Sequence, residues 1–272
     1  ALGANTTTDN NTAVGYSALW KNTAANNTAI GYNSMGENTT GTENTALGAY
    51  SLDANTTGNN NTAVGNYALS AATTASYNTA VGKNALLVST TANSNTAVGY
   101  LAMEDCTTGS ENVAVGKHAA KDLTTATGCV AVGNAALSVA TTSDYNVAIG
   151  HQALVAQTTG NNNVAVGRNS LFSSTTGNHN TAVGSSACLY AITTGTYNTA
   201  LGNDAGQSIT TGSNNLCLGK DAGRSSAPSG NITTGSDTIC LGNNDINDLF
   251  CADTSISSSD ARDKTDVEDF KY

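Results

Sequence analysis

The pentapeptide Asn11-Thr12-Ala13-Val14-Gly15 recurs along almost the whole chain. It returns at 27–31, with Ile30 in place of valine, and again at 44–48 and 61–65. It persists to Asp237-Thr238-Ile239-Cys240-Leu241-Gly242, which carries one extra residue. The closing glycines are Gly15, Gly31, Gly48, Gly65, Gly82, Gly99, Gly116, Gly133, Gly150, Gly167, Gly184, Gly202, Gly219 and Gly242, most of them 17 residues apart. A fixed period in this range marks a stacked architecture, in which a unit too small to bury its own apolar face buries it against the next. The spacing predicts an all-β fold: a parallel β-solenoid or β-roll of ~17-residue coils.

With the asparagine as position one, position two is Thr or Val, position three is Ala, position four is Val, Ile or Leu, and position five is Gly. Side chains that alternate in type mark a strand. In the middle coils positions two and four are both apolar, as in Val113 with Val115 and Val164 with Val166. These large side chains are expected inside, along with position nine, so that Val115, Val132, Leu137, Ile149, Leu154 and Val166 are buried. The small third position then allows a neighbouring chain to pack closely. Position eight is Ala or Ser, and position nine is usually Leu or Met. Positions thirteen to fifteen read Thr-Thr-Gly or a near variant, and are expected to form the turn back to the next asparagine through residues that tolerate positive φ. Asparagines stacked at position one can build a side-chain amide ladder. Gly, Thr and Asn recur too often for a helix.

Leu, Ile, Val and Phe make up roughly a sixth of the chain, below the ~20% at which disorder becomes the default expectation. The strict period overrules that composition, because thin coils need few large apolar residues. The net charge of −10 comes with only 11% charged residues, and the cations are scattered. No basic stripe exists to bind nucleic acid. No apolar run approaches the ~18 residues of a membrane span. Of the cysteines at 106, 129, 188, 217, 240 and 251, none forms a CxxC pair, so no metal or other cofactor is expected. Cys217 and Cys240 both replace the alanine of position three. They read either as small buried residues or as stacked thiols on neighbouring coils, close enough to bond in an oxidising compartment. His118, His151 and His179 fall at different coil positions and form no column. Paired carboxylates do not recur, so an enzyme acting on an outside substrate is not expected.

The opening Ala1-Leu2-Gly3 reads as the tail of an earlier repeat, and the chain as a piece of a longer protein. The pattern divides it into a repeat shaft over 1–242, a connector over 243–258 and a distinct charged tail over 259–272. Near the end of the shaft the pattern loosens: position nine becomes Gly206 and Gly223, and about six residues are inserted between Arg224 and Gly235, around the single proline, Pro228.

The Ala-Val-Gly-x-x-Ala/Ser core of each coil resembles the head repeats of trimeric autotransporter adhesins, which are left-handed parallel β-rolls with three chains side by side. The coil here is about three residues longer. The same Asn-Thr-Ala-Val-Gly repeats resemble those of phage tail-fibre shafts. The tail Ser259-Asp260-Ala261-Arg262-Asp263-Lys264 is similar to the opening of the endosialidase-type intramolecular chaperone, whose motif is Ser-Asp-x-Arg-x-Lys. That family trimerises a fibre or spike and then cuts itself off.

These resemblances imply a parallel homotrimer, or alternatively an interwound triple β-helix in which each coil is shared among chains. They imply a structural shaft of a trimeric phage tail fibre or tail spike, located on the virion or outside the cell. Its partners would be copies of itself, other tail-fibre parts and a host surface glycan or protein. Ser259 is implied as the nucleophile of self-cleavage before it, with Lys264 as the base. A serine needs such a base, and lysine serves only when burial lowers its pKa. The short tail cannot bury Lys264, so cleavage is expected only in a precursor that carries the rest of the chaperone. An adhesin head, with Tyr16, Tyr32 and Tyr100 stacking on sugars, is one alternative. An ice-binding solenoid is another, although its threonines would lie in a turn rather than on a strand.

Overall fold

The computed structural model describes residues 1–6, 8–185, 188–224, 227 and 230–246. Each pentapeptide becomes a three-residue strand, from β1 (Thr12–Val14) to β14 (Ile239–Leu241). All 14 strands lie in one sheet, ordered as they occur in the sequence. Every pairing is parallel and in register, so that Ala114 faces Ala131 and Ala131 faces Ala148. The chain is a β-solenoid whose successive coils pair within one chain, not the interwound arrangement in which those contacts run between chains.

The alternation holds, but its phase is opposite to the sequence expectation. The alanines of position three are fully buried from Ala29 to Ala200. Positions two and four therefore point away from the coil. Val115 is 38% exposed and Ile149 39%, and Val132 and Val166 are only half-buried. Leu137 and Leu154, at position nine, are completely buried as expected. The reason is the thinness of the coil. The leucine of position nine and the small residue of position eight already fill the interior opposite the strand, leaving room there for a methyl group but not for a branched side chain.

The glycine of position five is set by its neighbours. Gly116 has φ +135°, and a Cβ there would come within 2.6 Å of the Gly133 carbonyl oxygen in the next coil. Leucines at position nine also take left-handed conformations, as at Leu69 (φ 53°) and Leu154 (φ 51°). The expected turn glycines behave otherwise. Gly58 and Gly109 are not at positive φ; the left-handed residue is the one just before the asparagine, such as Asn60 (φ 57°) or Tyr145 (φ 55°). In the last coil Asp237 takes this position (φ 60°) and Thr238 the place of the asparagine. The residue that looked extra is thus in frame.

The amide ladder is present and buried. Asn61 Nδ2 donates to Asn44 Oδ1 at 3.1 Å and to the Ala75 carbonyl at 2.8 Å, and the Asn61 backbone N–H donates to Asn44 Oδ1 at 3.0 Å. Each asparagine thus ties its coil to the one before and closes its own coil across positions one and fifteen. Cys129 interrupts the column: its sulfur donates to the Ser143 carbonyl at 3.0 Å, but it has no amide oxygen to offer Asn146.

A core column at position twelve completes the interior, and its residues vary against position nine. Leu69 goes with Ala72 and Leu137 with Ala140, whereas Ala120 goes with Leu123, Gly206 with Ile209 and Gly223 with Ile232. The apparent loosening at the two glycines is an exchange of volume between two positions of one coil.

Candidate functional site

The outward face of the sheet is its most extended surface. Position four is Val, Ile or Leu in every strand, and position two is Thr, Val, Leu or Ile; no charge falls on either. At the strand spacing of ~4.8 Å, 14 strands make a face about 60–65 Å long. Its position-four side chains are exposed or half-buried along the whole column. Near the C-terminal end a shallow depression on this side is lined by Tyr197, Thr199, Leu216, Asp237 and Ile239, and Asp237 is its sole carboxylate.

Aromatic residues collect along the edges and stack on each other. Tyr16 and Tyr32 have ring centroids 5.4 Å apart with planes at 12°, and Tyr50 and Tyr67 are 4.9 Å apart at 4°. Tyr32 meets Tyr50 edge-on, and Tyr100 packs against His118 at 5.7 Å. The facing sides of Tyr16 and Tyr32 are therefore occupied, and a sugar cannot lie between them. His179 stacks on Tyr197, in a column separate from His118, and His151 lies exposed at a third position.

The paired threonines form two different columns. At position thirteen the hydroxyls are engaged along the rod: Thr56 Oγ1 donates to the Thr73 carbonyl at 3.0 Å and Thr124 Oγ1 to the Thr141 carbonyl at 2.9 Å. Position fourteen, as at Thr57 and Thr125, is exposed. The exposed threonines of the turn thus form a single file.

The five described cysteines sit inside the coils. Burial pushes the thiols of Cys106 and Cys188 up to about 12 and those of Cys129 and Cys217 up to about 11, so at neutral pH they are protonated and weakly nucleophilic. Cys188 takes the place of a serine. Its sulfur donates to the Ala200 carbonyl at 3.3 Å, as Ser34 Oγ does to the Ala46 carbonyl at 3.2 Å. Among the described residues no group of three His, Cys, Asp or Glu side chains could hold a metal ion. None of their helices is long and apolar enough to cross a membrane. Ser259, Lys264 and the bond between Ser258 and Ser259 lie outside the described residues.

No family model matches the chain, and neither a curated protein nor a solved structure matches it. The functional reading therefore rests on surface geometry and on the sequence motifs. Sequence reasoning identified the residues of the outward face but assigned them to the interior. The clue to the true phase was the small residue at position three of every strand, alanine in all but the last two, which marks the tightest packing.

Proposed function

We propose that this chain is the structural shaft of a trimeric phage tail fibre or tail spike, holding a host-binding part away from the virion. The observation that carries this reading is the outward aliphatic column. An uncharged apolar face repeated on 14 strands exposes hydrocarbon along its whole length, and burial is favourable at about 25 cal/mol per Å². Copies of the same chain are the natural cover, because their side chains repeat at the same ~4.8 Å interval and interdigitate from end to end. Three copies around one axis bury the face of each and leave the tyrosine, threonine and charged edges in water. Trimerisation also adds a second apolar layer outside the narrow core that each coil already has.

The Ser259-to-Lys264 motif supports the same reading. In a longer precursor, Ser259 Oγ would attack the Ser258 carbonyl with Lys264 as base, the peptide nitrogen would leave as an amine, and water would hydrolyse the resulting ester to free the chaperone from the shaft. The chain performs no chemistry on an outside substrate in this reading.

Assembly is tested by lysines on the face. Light scattering at micromolar concentration should give three times the chain mass for the wild type. Val115→Lys, Val132→Lys and Ile149→Lys combined should give the single-chain mass while keeping the β-type circular dichroism, since these side chains point away from the coil. A wild-type chain that is monomeric at that concentration removes the proposal. A lysine variant that loses its β-structure would instead show that the face belongs to the interior.

A further inference from the structure

We propose that Cys217 and Cys240 form a disulfide that staples the last coil to the rod. The two residues are in-register partners on adjacent parallel strands, β13 (Leu216–Leu218) and β14 (Ile239–Leu241). Paired strands place such Cα atoms about 4.8 Å apart, inside the roughly 4.4–6.8 Å span of disulfides. Both side chains point into the coil, where Cys217 is fully buried and Cys240 nearly so. Every earlier strand, from Ala13 to Ala200, has alanine at this position. Cysteine occurs there only in the last two coils, where the two can meet.

The interior is shaped to hold two sulfurs. Position nine of this coil is Gly223 rather than leucine, and a Cβ added there would come within 2.9 Å of Cys217 Sγ. The Gly223 backbone N–H donates to Cys240 Sγ at 3.0 Å. Both sulfurs therefore converge on one glycine, beside Ile232, which takes up the volume that a leucine fills in earlier coils. Cys106, Cys129 and Cys188 occupy other coil positions and have no in-register cysteine partner.

The location is where a covalent tie has most to hold. Cys217 and Cys240 are 23 residues apart, against the usual 17, because the chain detours through the insertion before closing this coil. Among the described residues the last strand is also paired on one side only. A terminal unit with a single interface opens most easily, and its opening uncovers both thiols. Burial raises the Cys217 thiol to about 11, with Cys240 beside it adding to the shift, so exchange proceeds from the opened coil rather than the closed one.

With a small-molecule disulfide such as oxidised glutathione as oxidant, the Cys240 thiolate attacks one of its sulfurs and releases one glutathione thiol. The Cys217 thiolate then attacks Cys240 Sγ and expels the second. The two protein thiols give up two protons and two electrons, and one glutathione disulfide becomes two thiols.

The test is refolding of the reduced full chain from urea in a glutathione redox buffer, followed by alkylation in denaturant and intact-mass measurement. The expected result is a loss of two free thiols from the six in the chain. Cys188→Ala and Cys251→Ala should retain the bond, whereas Cys217→Ala and Cys240→Ala should each abolish it. Alanine is native to this position in the earlier coils, so the last two variants keep the fold, which circular dichroism verifies. Six alkylated thiols after refolding, or a disulfide that survives in Cys217→Ala or Cys240→Ala, overturns the proposal.

Discussion

Asn163→Ala lowers the stability of the rod more than any change on its surface. Asn163 sits in the middle of the buried amide ladder. Its Nδ2 donates to Asn146 Oδ1 at 3.1 Å and to the Gly177 carbonyl at 2.8 Å. Its Oδ1 accepts the Asn180 backbone N–H at 2.9 Å and Asn180 Nδ2 at 3.2 Å. Alanine leaves the Gly177 carbonyl and the Asn180 N–H inside the coil without these partners. The Gly177 carbonyl keeps the Gln157 Nε2 donor at 3.3 Å, so its lost bond costs about 0.5–1.5 kcal/mol, whereas the Asn180 N–H loses its acceptor at about 1–3 kcal/mol.

The natural sequence offers a graded control. Cys129 occupies the same coil position and keeps a bond to the fifteenth-position carbonyl through its sulfur. Asn163→Cys should therefore retain the Gly177 contact, lose only the acceptor for Asn180, and cost less than alanine by the worth of that one contact, about 0.5–1.5 kcal/mol. Urea unfolding followed by circular dichroism measures both. Equal midpoints for the wild type and Asn163→Ala would mean that the ladder is ornamental and that pairing between strands alone joins the coils.

The same contrast shows what could be read from the chain in advance. The period, the strands and the asparagine ladder were legible because each depends on a residue that rarely drifts: glycine where the next carbonyl crowds in, and asparagine, replaced only by Cys129 and Thr238, where two carbonyls and two N–H groups need one amide. The facing of the strand was not legible from alternation. A period of two is satisfied equally by either phase, and a shift by one residue turns every side chain over. Size suggested that Val115 and Val166 belonged inside. Invariance argued for Ala114 and Ala165, and the structure follows invariance. The core column at position twelve escaped notice because no residue type marks it. It runs through Asn55, Ala72, Cys106, Leu123 and Ile209, and becomes a pattern only beside position nine. On the candidate site, the aliphatic residues of the outward face were identified and misplaced. The tyrosines proposed for sugars turned out to pair with aromatic neighbours. The chemistry expected at Ser259 and Lys264 falls outside the described residues.

Gly206→Leu tests the volume exchange directly. Leucine is the commonest residue at position nine, and its left-handed backbone is native there: Leu171 and Leu189 have φ 52°, close to the 63° of Gly206. Backbone conformation therefore does not oppose the change. Space does, since a Cβ at Gly206 would lie 2.7 Å from Leu189 Cδ2 and 3.3 Å from Ile209 Cδ1. Forcing a leucine into this filled interior should cost about 1–3 kcal/mol. Ile209→Ala alone should also cost stability, about 2–5 kcal/mol, by opening a cavity. Together they recreate the pairing of Leu137 with Ala140, in which both residues are fully buried. The double variant should then be more stable than the sum of its parts, with a coupling energy of about 0.5–3 kcal/mol. A double-mutant cycle by urea unfolding measures that term. Strict additivity would show that positions nine and twelve do not share one space, and that Gly206 and Gly223 are true weak points of the rod.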